Sequence, residues 1–200
     1  MFKFSKVSYE QFEKDSIALG FKPTRDIYDA IQLPKRATKK SAGYDFFTPY
    51  DIDIKNTTAI LSLTPTANYL NKIDIYNPNT FIIPTGIRVE LDPDQVLLAM
   101  PKSGHGFKTG TTLANTVGVI DADYFESDNE GHIMLKLVAG FKAFHLDAGK
   151  SVMQGICVKY CTEDDEKEVT TQRNGGFGST SDNQDTVKPD RKTRSTAKIK

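Results

Sequence analysis

Short stretches of β-branched and aromatic residues, each bounded by turn residues, make up the hydrophobic pattern of residues 26–161. Pro-Thr-Gly at 84–86 and Asp-Pro-Asp at 92–94 are typical turn sequences between them. No helix-length periodic stretch interrupts the series. The pattern predicts strands at residues 27–33, 44–47, 59–63, 81–83, 87–91, 96–100, 117–120, 133–138, 143–146 and 152–160. Many short strands at this spacing are typical of a sandwich, a jelly roll or a β-barrel.

The N-terminal residues 1–25 follow a different pattern. Ser8 and Gln11 have the spacing of a helix capping box, so we predict a short helix that ends before Pro23. We interpret this segment as a helical appendage to an all-β domain, which we place at residues 26–165. The polar residues 56–79 are interpreted as an elaborated loop of that domain.

The C-terminal part of the chain is polar and poor in apolar residues. An acidic run at 162–168 is followed by a glycine-rich stretch at 173–180 and by a tail of mostly Ser, Asp, Lys and Arg. Such a composition cannot bury enough apolar surface to fold. We therefore predict a flexible arm over residues 166–200, and we interpret its basic end as solubilising rather than as a nucleic-acid contact.

The overall charge and the cysteine content exclude several classes of protein. The 26 basic residues balance the 26 acidic ones, which argues against a general nucleic-acid binder. Because we find neither a signal peptide nor an apolar run of about 18 residues, we expect a soluble protein in the cytoplasm, or in the host cytoplasm if the source is viral. Cys157 and Cys161 lack nearby histidines and are predicted to be free thiols rather than a zinc site.

The stretch from Leu113 to Tyr124 has the pattern of a hairpin with chemistry at its end. Val117, Val119 and Ile120 favour a strand, and Gly118 indicates a tight turn or a close backbone approach. The exposed N–H and C=O groups of such a bend suit a flat, hydrogen-bonding base. Asp121 follows the apolar pair, where its carboxylate could hold a water molecule. The alternative is an ordinary hairpin whose acids face solvent.

Two further stretches combine glycines with cationic and hydroxyl side chains. Lys102, Ser103 and Gly104 follow a predicted strand and could hold a phosphate, although a simple turn remains the alternative and His105 is interpreted as a surface residue. In residues 173–180, Arg173 and Ser179 could contact phosphate oxygens while Phe177 stacks on a base. The alternative for this second stretch is a flexible linker.

Two polar residues within predicted strands are further candidates for binding or for ion pairing. Asp45 lies in an otherwise apolar strand, where a carboxylate is costly unless it is paired or lies near a cation. It could approach a hydrated Mg²⁺ or form a structural ion pair. Gln154 begins a β-rich run, where its amide could donate a hydrogen bond to a phosphate.

These stretches, in this order, resemble the sequence motifs of the trimeric dUTP diphosphatases, or dUTPases. The matching segments are 42–45, 101–104, 115–124, 149–154 and 173–180. The resemblance implies a distorted jelly-roll subunit in a homotrimer whose active sites are shared between chains. It also implies the hydrolysis of dUTP to dUMP and pyrophosphate with Mg²⁺, a step of nucleotide metabolism that supplies dUMP. The segment 125–130 looks like an insertion, and with the N-terminal appendage it resembles variants from phages and Gram-positive bacteria.

The resemblance also implies roles for individual residues. By position, Asp121 is the general base that activates water, and Tyr124 packs under the deoxyribose and excludes a 2′-hydroxyl. Uracil is read by Asn115, by the main chain of Gly118, Val119 and Ile120, and by Met134. The phosphates are held by Lys102, Ser103, Gly104 and Gln154. The closing arm consists of Arg173, Phe177, Gly178 and Ser179. Asp45 approaches Mg²⁺ through water.

The sequence departs from the family pattern at two cationic positions, and two other functions compete with hydrolysis. Lys102 and Ser151 stand where the family usually has arginine. A dCTP deaminase of the same fold would carry a glutamate where Lys136 stands, which argues against that activity. The third hypothesis is a non-catalytic module that senses nucleotide or binds a protein partner, and the presence of Asp121, Tyr124 and Phe177 together disfavours it.

Overall fold

Short antiparallel strands dominate a computed structural model of the chain, which describes residues 2–54 and 80–164. The strands are β1 (Lys3–Lys6), β2 (Lys35–Arg36), β3 (Tyr44–Phe47), β4 (Ile52–Ile54), β5 (Thr80–Pro84), β6 (Ile87–Glu90), β7 (Gln95–Pro101), β8 (Thr112–Leu113), β9 (Gly118–Asp121), β10 (Met134–Val138), β11 (Phe144–Leu146) and β12 (Ser151–Lys159). The helices are α1 (Tyr9–Ala18), α2 (Arg25–Asp29), α3 (Ser103–Thr109) and a 3₁₀ helix (Ala122–Glu126). The prediction of a strand at 59–63 and that of an arm at 166–200 lie outside the described residues.

The strands pair into sheets whose largest member carries most of the polar residues discussed below. Its order is β2-β3-β12-β7-β9. Strands β5, β10 and β8 form a second sheet, and β1-β6 and β11-β4 form two-stranded sheets. The mostly-β architecture is therefore the one that the hydrophobic pattern predicts.

The hydrophobic core lies between these sheets. Phe46, Leu97 and Met153 come from the neighbouring strands β3, β7 and β12, and each is completely buried. A Cβ atom at Gly155 would lie 3.0 Å from side-chain atoms of both Phe46 and Leu97. Burying a large apolar side chain stabilises the fold by about 1.5–3 kcal/mol, so this layer holds the large sheet in place.

The N-terminal segment, predicted as an appendage, contributes to the same core. Strand β1 pairs with β6, and Phe12 of α1 is completely buried. The predicted capping box is confirmed at its first half, because the Ser8 hydroxyl accepts a hydrogen bond from the Gln11 backbone N–H at 3.1 Å. Helix α1 is therefore anchored both at its cap and by its buried face.

The prediction of a strand at residues 27–33 is wrong. Residues Arg25–Asp29 form helix α2 instead. The Thr24 hydroxyl accepts a hydrogen bond from the Ile27 backbone N–H at 3.2 Å and so caps this helix. A short apolar run fits a strand and a helix equally well, and the threonine cap decides between them here.

The described part of the chain contains both cysteines and the helices named above. Cys157 and Cys161 are free thiols, as predicted, and burial raises the pKa of Cys157. Among the described residues, no helix has the length and apolar character needed to cross a bilayer.

The buried position of Phe12 generates a stability prediction. Phe12→Ala should lower the free energy of unfolding by about 3–5 kcal/mol, because it removes a ring from the core and leaves a cavity. Urea unfolding followed by circular dichroism measures this change. The matched control on the same helix is Ile17→Ala, whose parent side chain is 62% exposed and which should change stability by no more than about 0.5 kcal/mol. Equal effects of the two substitutions would contradict the placement of α1 in the core.

Candidate functional site

A cavity of about 420 Å³ lies against the turn between β8 and β9. The sequence predicts this stretch as a hairpin, but its two strands do not pair with each other: β8 pairs with β10 and β9 with β7. Its lining includes the predicted residues Asn115, Gly118, Val119, Ile120, Asp121, Tyr124 and Met134. Ala99 of β7 and Lys136 of β10 line it as well, and the sequence pattern did not single out Ala99. We call this cavity the hairpin pocket. The structure thus brings together the residues predicted to read a base, a sugar and a water molecule.

The bend of the hairpin has an unusual backbone conformation. Thr116 has a φ of 63°, which is strained for a β-branched residue and costs about 1–3 kcal/mol. The Val117 N–H donates to the Asn115 carbonyl at 2.6 Å, and the Thr116 N–H donates to the Leu113 carbonyl at 3.0 Å. The bend therefore lies at 115–117. Gly118 belongs to β9 rather than to the turn. It closely approaches Ala99 of β7, because a Cβ atom added at Gly118 would lie 3.2 Å from the Ala99 Cβ atom.

Asp121 and Tyr124 lie on consecutive elements at one end of the pocket. Asp121 is the last residue of β9, where it is partly buried and pairs in register with Val96. The 3₁₀ helix that follows carries Tyr124, which lines the pocket as well. Only 8% of Tyr124 is exposed. A carboxylate and an aromatic ring therefore border one cavity, as the sequence predicts.

A second polar group forms at the other end of β7. The Lys102 Nζ atom lies 2.9 Å from the Asp45 Oδ2 atom, and Asp45 pairs in register with Gln154 on the neighbouring strand. Ser103 and Gly104 begin helix α3, so this stretch is a helix start and not a simple turn. We call Asp45, Lys102, Ser103, Gly104 and Gln154 the Lys102 cluster.

Two neighbours of the Lys102 cluster explain its packing. A Cβ atom at Gly43 would lie 2.6 Å from the Gln154 Oε1 atom, so the glycine leaves room for that amide. His105, interpreted from sequence as a surface residue, is partly buried, and its Nε2 atom lies 3.1 Å from the Ser151 carbonyl oxygen. His105 is therefore a partly buried residue rather than a fully solvated one, and this contact links α3 to β12.

Asp121 and the Lys102 cluster are far apart within one chain. Asp121 pairs with Val96 of β7, whereas Lys102 follows the last residue of that strand. The six residues of extended chain from 96 to 102 span roughly 20 Å. The arm residues Arg173, Phe177, Gly178 and Ser179 lie outside the described residues, so their positions stay predictions.

Curated relatives with the same name match most of the chain. This chain is 34% identical over 155 residues to the deoxyuridine 5′-triphosphate nucleotidohydrolase of Lactococcus lactis subsp. lactis, and the match covers 75% of this chain and 88% of the relative. It is 33% identical over 155 residues to that of Paraburkholderia phymatum, covering 74% and 88%. The chain belongs to the dUTPase family.

The solved structures of dUTPases confirm the predicted fold. The dUTPase from Streptococcus mutans is similar with a TM-score of 0.54 and 26% identity, covering 80% of this chain and 98% of that chain. A dUTPase from phage phi11 of S. aureus is similar with a TM-score of 0.52 and 15% identity, covering 86% and 97%. No model of a known protein family matches the chain.

In this dUTPase-family chain, the segment 125–130 docks on the N-terminal segment. The Glu130 carboxylate accepts hydrogen bonds from the Ser8 N–H at 2.8 Å and the Ser8 hydroxyl at 2.6 Å. Arg88 donates to the Phe125 carbonyl at 2.5 Å and lies 3.5 Å above the centre of the Phe125 ring. The sequence gives no local signal for these contacts, because their partners are far apart along the chain.

The contacts of Glu130 lower the pKa of its carboxyl group. Burial raises this pKa, but the two hydrogen bonds from Ser8 and the nearby Arg88 charge together lower it by more, so the net shift is downward. A carboxyl group whose pKa is depressed by folding stabilises the protein above its unfolded pKa. That stabilisation is lost as the pH falls through the folded pKa.

The sign of this shift predicts how a charge-neutral variant behaves. The melting temperature of Glu130→Gln should lie below that of wild type by a constant amount above pH 4.5, the ordinary pKa of this group, and the difference should shrink below that pH. Differential scanning fluorimetry across pH 3–8 measures it. Glu126→Gln, which changes an exposed carboxylate on the same segment, serves as the control. A difference that grows in acid would contradict the depressed pKa.

Proposed function

We propose that this chain hydrolyses dUTP to dUMP and pyrophosphate, with Asp121 as the general base. The observation that carries the proposal is the position of Asp121 and Tyr124 on the same cavity as the main-chain edge of the hairpin. Membership of the dUTPase family supports the same reaction. The uracil site, the sugar platform and the proton acceptor then follow the order of the base, the sugar and the α-phosphate in dUTP.

The hairpin pocket discriminates between pyrimidines by shape and by hydrogen bonding. The main chain of Gly118, Val119 and Ile120 and the amide of Asn115 pair with uracil, and Met134 closes the opposite side. A 5-methyl group on thymine has no space in this slot. Cytosine presents a donor where uracil presents an acceptor, and an enzyme rejects such an analogue strongly because buried polar groups stay unpaired.

The chemical step transfers one proton to Asp121. A water molecule within hydrogen-bond reach of the carboxylate attacks the α-phosphorus, and its proton moves to a carboxylate oxygen of Asp121. The bond between the α-phosphorus and the bridging oxygen breaks, and pyrophosphate leaves with that oxygen. The Tyr124 ring lies under the deoxyribose and leaves no space for a 2′-hydroxyl.

The Lys102 cluster holds the phosphates. Lys102 supplies a point charge, Ser103 and Gly104 offer the first N–H groups of α3, and Gln154 offers its amide. In the arm, Arg173, Gly178 and Ser179 contact the phosphates and Phe177 stacks on the base, by their match to the family motif. Closing of the arm excludes water other than the nucleophile.

The residues of the Lys102 cluster fit a Mg²⁺ ion carried by the substrate. Mg²⁺ is usually bound by one or two carboxylates together with substrate phosphates and several waters. Asp45 is such a carboxylate: its side chain is partly buried at 17% exposure and lies beside Lys102. Mg²⁺ would offset the negative charge of the triphosphate. A mutant of the phage phi11 dUTPase coordinates a structural Mg(II) ion, and we propose that Asp45 approaches the ion through water.

The first test removes the proton acceptor without changing its shape. Asp121→Asn should lower kcat for dUTP by about 10²–10⁴-fold while the affinity for a non-hydrolysable dUTP analogue survives. Pyrophosphate release and calorimetric titration measure the two quantities. Asp123→Asn changes an exposed carboxylate two residues on and should keep wild-type turnover. Near wild-type turnover of Asp121→Asn would remove Asp121 from its role, and ammonia release from dCTP would favour a deaminase.

The distance between the two clusters supports active sites shared between chains of a homotrimer. A general base and the phosphates must lie near one attacking water. Within one chain, however, Lys102 is roughly 20 Å along β7 from the partner of Asp121. We propose that a second copy places its Lys102 cluster against the hairpin pocket of the first, and that the third copy supplies the arm.

A shared site predicts that two inactive variants complement each other. Lys102→Ala chains keep the hairpin pocket, and Asp121→Asn chains keep the Lys102 cluster. In every mixed trimer, one of the three sites combines an intact hairpin pocket with an intact Lys102 cluster, so purified mixed trimers should regain about a third of the wild-type activity. Co-expression, purification of mixed trimers by two tags and a dUTP assay measure the activity. A mixture no more active than its two parents would contradict sharing.

A further inference from the structure

The hydroxyl of Tyr124 is held by two residues that are not part of the hairpin pocket lining. It donates a hydrogen bond to the His132 carbonyl at 2.9 Å and accepts one from the Asn129 amide at 2.8 Å. The ring borders the pocket, so these two bonds fix one end of it. We call Tyr124, Asn129, His132 and Asp15 the Tyr124 network.

The His132 side chain connects this tyrosine to the N-terminal helix. His132 is completely buried. The Gly86 backbone N–H lies 2.8 Å from its Nε2 atom, and a backbone N–H can only donate, so Nε2 is the acceptor. The proton is then on Nδ1, which donates to the Asp15 Oδ2 atom of α1 at 2.6 Å. One tautomer and one ring orientation satisfy both partners.

Asp15 is itself held in the position that this contact requires. Its Oδ2 atom also accepts a hydrogen bond from the Gln11 side-chain amide at 2.8 Å, one turn earlier on α1. The Tyr124 network therefore runs from the buried face of α1 through His132 to the wall of the hairpin pocket. Asp15 and His132 are separated by 117 positions in the sequence.

We infer that Asp15 is a positioning residue for sugar selectivity, acting through His132 and Tyr124 to keep the tyrosine ring where a 2′-hydroxyl cannot fit. The inference rests on the proposed packing of Tyr124 under the deoxyribose. A pocket that must reject an extra hydroxyl by shape alone discriminates only about 10²-fold. That discrimination is lost when the ring can move by about 1 Å. The N-terminal helix thus serves the active site as well as the core.

The experiment compares dUTP with UTP in the full-length protein. Asp15→Ala should reduce the ratio of kcat/KM for dUTP to that for UTP by about tenfold. The reduction should arise from a change in KM, while kcat for dUTP stays within about threefold of wild type. Asp15→Asn keeps an oxygen that accepts the His132 proton and should restore the ratio. If Asp15→Ala does not fold, Asn129→Ala removes the other bond to the phenol and carries the same expectation.

Two control variants separate positioning from a general loss of stability. Glu10→Ala removes an exposed carboxylate from the same helix. Leu146→Ala truncates a buried side chain that is not part of the pocket lining. Both should keep the wild-type ratio, even where Leu146→Ala lowers the melting temperature as much as Asp15→Ala does. An equal loss of selectivity in Leu146→Ala would overturn the inference.

Tyr124→Ala separates the failure of this inference from the failure of the proposed function. If Tyr124→Ala lowers the ratio and Asp15→Ala does not, the positioning role of Asp15 is wrong and the role of Tyr124 stands. If neither variant changes the ratio, the proposed contact of Tyr124 with the sugar is wrong, and the inference falls with it.

Discussion

The hydrogen-bonded length of β7 sets the distance between the two polar groups of this chain. The strand pairs with β9 on one side and with β12 on the other, so it cannot bend to bring its ends together without breaking both ladders. Asp121 lies beside its beginning and Lys102 follows its end. The rigid sheet that places each group accurately also separates them, which is the physical basis for our proposal that a second copy of the chain completes the site.

Buried polar contacts, rather than apolar packing alone, shape the end of the hairpin pocket. The turn before β10 contains Glu130 and Gly131, both with positive φ. A Cβ atom at Gly131 would lie 2.8 Å from the Tyr124 carbonyl oxygen, so the turn packs directly against the backbone of the tyrosine. The strained Thr116 lies between Asn115 and Val117, which both line the same pocket. Backbone strain of this kind persists only where the surroundings hold it in place.

The sequence predicts the local parts of this site and misses the long-range ones. The turn before β9, the capping box and the strand ends depend on residues a few positions apart, where turn chemistry and hydrophobic alternation act directly. The strand partners of β8 and β9 are long-range, and the predicted pairing of these two strands in a hairpin is wrong. The pair Asp15–His132 and the pair Ser8–Glu130 join residues 117 and 122 positions apart. Each of these residues is unremarkable in its own stretch, so no window of the sequence indicates the contact.

The same reasoning explains the wrong strand at 27–33 and the correct interpretation of Asp45. The apolar residues of 27–33 fit two periodicities, and the deciding hydrogen bond comes from Thr24, outside the run. Asp45, by contrast, is an acid in an apolar strand, and the cost of burying a charge requires a partner or a nearby cation. The general rule is enough to predict that Asp45 has a partner, but not that the partner is Lys102.

The ion pair between Lys102 and Asp45 limits what the Lys102 cluster can contribute by itself. The two charges cancel, and a partly exposed lysine–carboxylate pair contributes only about 0–1 kcal/mol to stability. A triphosphate that approaches this pair meets an acid as well as a cation. Lysine also lacks the bidentate geometry with which arginine binds phosphate. A triphosphate bound here therefore needs additional positive charge, and this need supports our proposal that Mg²⁺ approaches Asp45 and that Arg173 of the arm contacts the phosphates.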